Sequence, residues 1–367
     1  MIEKEAYEKA IHVLEKCTTK KGFRAAFPGY NGVWARDSVI TSLGGSLIGE
    51  KFKPDFKNSL ITLSKAQSKK GQIPNAVLLD TGKIDYQSID STLWFLIGHH
   101  YYKERYGDNS LSVKYKDNIE KAINWLSYLD MGEDGMLEQL PTTDWQDAFP
   151  HRYGHTINTQ ALYFKVLEIY GDKERIKKLI DSANNNPELM LWNGEFYYSY
   201  RWKNHRKYKE IGEWFDSLGN LLAIVFGLAD DKKAGKILEY IKKNKINNPY
   251  PIKAIYPAIK KTSKYWQDYY LDCEAGKPNH YSNAGIWTYI GCFYVLALTK
   301  LKKFEEASHE LKKIAEVSLK YNFTEWLNGI TGKKPKSKIG ITEGNQAWNA
   351  GMYILAYDSL KRKKVLL

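Results

Sequence analysis

The chain has 367 residues, 43% hydrophobic and 26% charged, with a formal net charge of +13. That length and balance describe a folded globular protein with a sizeable core and exclude a disordered chain. No run of about 18 apolar residues offers a membrane span, and the charged, amphipathic start MIEKEAYEKAIHVLEKC lacks the apolar segment and small-residue cleavage site of a signal peptide.

Helical periodicity begins at once. Residues 2–17 place Ile2, Ala6, Ala10, Leu14 and Cys17 on one side. The same spacing predicts helices over about 37–49, 54–69, 88–105, 112–129, 155–170, 172–184, 212–230, 231–244, 284–299, 301–320 and 344–361. The helix over 155–170 aligns Ile157, Ala161, Phe164 and Leu167; that over 301–320 aligns Phe304, Ala307, Leu311 and Ile314, with lysines and glutamates opposite. A single convincing alternation, GEFYYSYRW at 194–202, predicts a strand and half of a hairpin.

The connections are of two kinds. Some are short and lysine-rich. Others, at 23–36, 71–87, 130–154, 247–283 and 321–343, are long and carry Trp, Asp, Asn, Gly and Pro. Long loops in a compact domain are where function concentrates. A ring of antiparallel helix pairs puts every second connection at the same end, so the long loops are expected to converge on one face. No low-complexity linker divides the chain, and a single domain over 1–367 is expected.

The positive charge raises nucleic acid as a partner. The lysines instead fall in pairs opposite apolar residues, at Lys232-Lys233, Lys242-Lys243, Lys302-Lys303 and Lys312-Lys313, as on solvated helix faces. The tail Lys361-Arg362-Lys363-Lys364 reads as a frayed helix end. Neither nucleic acid nor a membrane is an expected partner. Cys17, Cys273 and Cys292 are odd in number without CxxC spacing, which argues against a disulfide framework or zinc ribbon and fits a reducing cytoplasm.

Chemistry gathers in the long loops. NGVWARDSVI at 31–40 sets Trp34, Arg36 and Asp37 at the mouth of a helix. TTDWQDAF carries Asp144, Trp145 and Asp147; FTEWLNGITG carries Glu325 and Trp326. Two carboxyl groups flanking one pocket are what glycoside hydrolysis needs, one protonated and one ionised. An apolar neighbour such as Trp145 raises a carboxyl pKa by desolvation. Taken singly, a loop Asp or Glu is more often merely solvated. The 27 Tyr and 11 Trp shift the balance, because pyranose rings stack their apolar faces on aromatic rings. His151 and His155 have metal-ligand spacing, but Pro150 and Gly154 interrupt a continuous helix there. No HExxH, P-loop, GxGxxG or GxSxG is present. No metal or cofactor is expected.

Six segments carry a family resemblance. VWARDSV resembles the tryptophan–arginine–aspartate motif of glucoamylases and related glucosidases. DYQSIDSTLWFL and DWQDAF…INTQALYF are similar to the amylo-α-1,6-glucosidases of glycogen debranching. FDSLGNLLAI, HYSNAGIW and FTEWLNGITG…GNQAWNAGMYI resemble the alkaline/neutral invertases. The segments run in order from about residue 24 to 358. The resemblance implies an all-α (α/α)6 toroid and inverting, cofactor-independent hydrolysis of α-glucosidic bonds at α-glucan ends or branch stubs. An invertase- or trehalase-like disaccharide hydrolase is the nearest alternative, and a non-catalytic carbohydrate-binding toroid a further one.

Carried over by position, the resemblance makes Asp147 the general acid and Glu325 the general base. Trp34, Arg36 and Asp37 would hold the terminal sugar, flanked by Trp145 and Trp326, with Asp90, Asn283 and Gln346 lining the pocket. Asp144 competes for the acid role and Glu343 for the base. The plainer alternative for Arg36 and Asp37 is a helix N-cap by Asp37 beside a surface ion pair of Arg36.

Overall fold

The computed structural model describes residues 1–205, 208–272, 276–335 and 344–367; Cys273 and Glu343 lie outside the described residues. In chain order the elements begin with α1 (Ile2–Cys17), β1 (Gly32–Trp34), α2 (Ala35–Gly45), α3 (Lys53–Lys65), β2 (Ala76–Leu78), β3 (Ile84–Asp85) and α4 (Asp90–Tyr106). Then come α5 (Ser110–Lys114), α6 (Lys116–Ser127), β4 (His155–Thr156), α7 (Ile157–Tyr170), α8 (Lys173–Asn184), β5 (Tyr198–His205) and β6 (Tyr208–Asp216). The rest are α9 (Ser217–Phe226), α10 (Asp231–Lys243), β7 (Ile255–Tyr256), α11 (Thr288–Lys300), α12 (Phe304–Tyr321) and α13 (Ala347–Lys361).

Two layers follow from two kinds of helix. Every residue of α2 and α9, and all of α11 but Lys300, is buried. A helix apolar all round has to sit inside. Accordingly α2, α4, α7, α9, α11 and α13 pack each on the next, and α13 packs back on α2. The ring closes tightly: a Cβ on Gly44 would stand 1.7 Å from the carbonyl oxygen of Gly351, so only glycine lets α2 and α13 meet.

Outside run α1, α3, α6, α8, α10 and α12, each with one buried stripe. In α10 the stripe is Ala234, Ile237, Leu238 and Ile241, each large aliphatic side chain contributing about 1.5–3 kcal/mol on full burial. Lys232, Lys242, Lys243, Lys302, Lys303 and Lys312 face solvent. This is an (α/α)6 toroid. No helix of the described residues is long and apolar enough to cross a membrane.

Connections from inner to outer helices are short, such as 171–172 and 301–303, whereas those from outer to inner are long, such as 128–156 and 244–287. Alternation places all the long ones at one end, where backbone pairing joins neighbours. Trp34 pairs with Ala76 across β1 and β2, β4–β5–β6–β7 form a second antiparallel sheet, Ile286 bridges Leu327, and Ala26 bridges Gln346. Trp34 and Trp326 therefore share that end.

One expected helix is corrected. Residues 212–230 are not a single helix: 212–216 belong to β6, and α9 starts at Ser217. Glu213 is exposed while Trp214 is buried, the alternation of a strand, and Asp216 then caps the helix by accepting from the Gly219 N–H at 3.2 Å. The strand expected at 194–202 is β5, and β6 is its partner.

Candidate active site

At the long-loop end, Ala25, Tyr30, Trp34, Arg36, Asp37, Trp145, Asp147, Tyr281, Trp287, Glu325, Gln346 and Trp348 surround one pocket of about 430 Å³ counting its open mouth. Long loops and the starts of α2 and α13 supply these residues.

The first motif is fixed by where a strand becomes a helix. Trp34 ends β1 in extended conformation and is itself the N-cap of α2, with no side-chain cap bond. Asp37 therefore lies inside the first turn rather than at the cap, which removes the capping alternative. Arg36 is not at the surface either. It is 4% exposed, and its Nη1 donates to both oxygens of Asp90, at 3.0 and 2.9 Å. The Ser88 hydroxyl donates to the same carboxylate. Arg36 Nε stands 3.8 Å from Asp37. Asp90, fully buried, thus supports the pocket from behind without lining it.

Glu325 is 4% exposed. Its Oε1 accepts from the Tyr30 hydroxyl at 3.2 Å, while Oε2 has no protein partner. Burial drives its pKa up to about 8, with Asp37 and Asp147 adding like charge and the Tyr30 hydrogen bond opposing. Asn349 of α13 anchors this loop by donating to the Thr324 carbonyl at 2.7 Å while accepting from Tyr289 N–H at 3.0 Å. Asp147 is open to solvent on the pocket wall yet ringed by protein. That concave setting lifts its pKa to about 6, chiefly by desolvation, against the pull of Arg36. Asp37 also rises to about 6 by burial, with Arg36 opposing.

Asp144 belongs elsewhere. It is fully buried; Arg152 Nη2 donates to Oδ2 at 2.7 Å, Gln139 to the same oxygen at 3.1 Å, and Gln146 N–H to Oδ1 at 2.9 Å. Arg152 Nη1 reaches Asp216, so one guanidinium ties the loop of Asp147 to the start of α9.

Of the residues expected in the pocket, Trp34, Arg36, Asp37, Trp145, Asp147, Glu325 and Gln346 line it. Asn283 does not. Its amide exchanges bonds with Ile259 N–H and C=O, both at 2.8 Å, and donates to the Gly276 carbonyl. A short polar side chain with three backbone partners is a loop clasp. Trp326 sits behind Tyr281, ring centroids 5.8 Å apart, rather than on the wall. Sequence reading missed Tyr30, Tyr281, Trp287 and Trp348, although each stands in or beside a recognised motif. Trp287 meets Trp145 edge-on at 5.7 Å and Trp348 at 5.9 Å, and Tyr289 stacks on Trp348 at 4.2 Å.

A helical ring with a carboxyl-rich, indole-walled pocket at its long-loop end fits the (α/α)6 glycoside hydrolase that the sequence resemblance implies. The chain matches the amylo-alpha-1,6-glucosidase family over residues 8–354 and belongs to it; it is a glycoside hydrolase. No curated protein matches the sequence. Among solved structures, an uncharacterized conserved protein from Thermus thermophilus is similar with a TM-score of 0.73 at 14% identity, covering 95% of this chain and 98% of that one. A GH63 mannosylglycerate hydrolase from the same organism, in complex with glucose, gives 0.71 at 13% identity over 95% and 99%. A glycosidase variant in complex with glucose gives 0.63 at 14% identity over 98% and 97%. These structural likenesses establish the fold.

Proposed function

We propose that the chain, as a single domain, hydrolyses α-glucosidic bonds with inversion, at α-glucan ends or branch stubs, with Asp147 as general acid and Glu325 as general base. One observation carries the reading. Residues lining a single pocket hold buried donors with no protein acceptor, namely Arg36 Nε, Trp145 Nε1, Gln346 Nε2 and Trp348 Nε1, beside the free Glu325 Oε2. Each unsatisfied buried group costs about 1–3 kcal/mol. A sugar's hydroxyls satisfy them while its apolar face covers the indoles.

Charge narrows the substrate. Arg36 is the only cation among the described lining residues, Asp90 already engages it, and it faces Asp37, Asp147 and Glu325. That favours a neutral glucoside over an anionic one such as mannosylglycerate, which a neighbour of the same fold hydrolyses. Glucose bound in two such neighbours fits the same choice.

Position supports the roles. Glu325 is deep, one oxygen fixed by Tyr30 and the other free to take a proton from an attacking water. Asp147 stands at the solvent-accessible wall, where a leaving oxygen departs and a proton is replaced. In the protein by itself the pKa order runs the other way, about 8 for Glu325 and about 6 for Asp147, because burial is deeper at Glu325. Burial above all holds Glu325 up at about 8, and a water or hydroxyl donating to Oε2 stabilises the ionised base. A cytoplasmic setting completes the proposal, supported by free, buried Cys17 and Cys292.

The test is a panel of maltose, isomaltose, panose, branched dextrin, sucrose and trehalose, followed by proton NMR. β-Glucose is expected as first product from an α-glucoside. An initial α-anomer refutes inversion; turnover of sucrose or trehalose alone replaces the glucan reading with the disaccharide one. Binding without turnover leaves a carbohydrate-binding toroid.

A further inference from the structure

The loop bearing Asp144, Trp145 and Asp147 is closed at its neck, where Gln139 and Gly154 exchange backbone hydrogen bonds at 3.0 and 2.9 Å. Glu138 and His155 are the next residues outward on the two sides, and Asp134 stands four residues before Glu138. The two histidines spaced like metal ligands part company here. His151 meets the Tyr269 hydroxyl at 3.0 Å, while His155 turns into the acidic pair.

His155 is 4% exposed; its Nδ1 has no hydrogen-bond partner, and its Nε2 meets the two carboxylates only at ion-pair distance. Its Nε2 lies 3.5 Å from Asp134 Oδ2 and 3.5 Å from Glu138 Oε1, and the three donor atoms all fall within 4.8 Å of one another. Donors about 2.1 Å from a shared tetrahedral ion stand roughly 3.4 Å apart. The carboxylates are also held in place from behind. Glu138 accepts from Met131 and Gly132 N–H at 2.8 and 3.1 Å, and Asp134 Oδ1 accepts from Met136 N–H at 2.9 Å, leaving Oδ2 for the cluster. Glu138 also lines a surface cavity with Trp125, Leu140 and Thr143, and the Asp134 side chain is partly exposed.

We infer that Asp134, Glu138 and His155 bind a divalent cation of the zinc class, which staples the neck of the loop carrying Asp147. Two carboxylates balance the charge of the ion, and the imidazole nitrogen selects against calcium and magnesium, which take oxygen ligands. Three protein ligands leave the remaining coordination to water.

The experiment uses the full chain, treated with EDTA and dialysed, with ZnCl2 as probe and CaCl2 in a parallel arm. Titration calorimetry is expected to show one saturable zinc site of higher affinity than calcium. Zinc should raise the melting temperature and slow protease cleavage within 140–153. Asp134→Asn should weaken zinc at least about tenfold, and His155→Gln should abolish the site; Asp134, partly exposed, serves if the histidine variant does not fold. Absence of saturable zinc binding, or wild-type affinity in either variant, overturns the inference in favour of a protonated His155 ion-paired with the two carboxylates. Calcium binding tighter than zinc also overturns it. None of these readouts depends on glycosidase activity.

Discussion

Two charge clusters lie at the long-loop end of the ring, and they are built differently. Around Arg152, both oxygens of Asp144 and both of Asp216 receive protein donors, from Arg152, Gln139, Gln146 N–H and Gly219 N–H. Around Arg36, only Asp90 is served in this way. Among the described residues Glu325 Oε2 has no donor, and Asp37 has Arg36 Nε only at 3.8 Å. In the first cluster every carboxylate oxygen is served by protein, and on the central guanidinium only Arg152 Nε is left without a partner, so it acts as scaffold. The second leaves a buried carboxylate oxygen, Glu325 Oε2, without any donor on the wall of the pocket, where the proposed substrate would reach it.

The sharpest way to break this contrast is to neutralise one carboxyl at a time. Asp147→Asn and Glu325→Gln should each lower turnover roughly 10²–10⁴-fold with the fold intact by circular dichroism. Asp144→Asn should act mainly on stability, its effect on turnover smaller than either. A dead Asp144→Asn beside an active Asp147→Asn would reverse the assignment of the two clusters.

Next in size is Arg152. Replacing it with Met leaves Asp144 and Asp216 buried without their shared cation, which costs about 3–5 kcal/mol. Denaturant melts should show that loss. A marginal change would mean the Arg152 cluster is not the scaffold it resembles.

The smallest effect sharpens the contrast through pH. The pKa values of Asp37 and Asp147 rise from 3.8 to about 6, and that of Glu325 from 4.5 to about 8. Raised carboxyl pKa values mean the folded state binds more protons than the unfolded one. Stability from these groups is therefore full below about pH 4 and is lost as pH rises through 6 and then 8. Glu325→Gln carries no charge to bury. It should melt a few degrees above the parent at about pH 9 and nearly with it at about pH 4. Equal melting at both values would show that Glu325 is not desolvated.

Much of this was legible in the chain. Helical period fixes which face is apolar, and helices apolar all round, such as TYIGCFYVLALT, announce an inner ring against striped ones such as DKKAGKILEYIKK. Alternating short and long connections put the chemistry at one end. Trp34 stood out as a tryptophan in a polar loop that neither core packing nor a helix cap explains, whereas Arg36, Asp37, Asp147 and Glu325 each had a plainer reading and were singled out by the family resemblance.

What the sequence alone did not decide was which residue of a motif turns inward. HYSNAGIW contains Tyr281, Asn283 and Trp287, and the two aromatics rather than the amide line the pocket. Likewise DWQD offers two carboxylates three apart, and only the position of Arg152, itself tied to Asp216 sixty-four residues further on, commits Asp144 to the interior. Periodicity is a local property, set by about 3.6 residues per turn. The partners of a buried charge are set by where ring closure brings distant loops together, and that is a property of the tertiary structure.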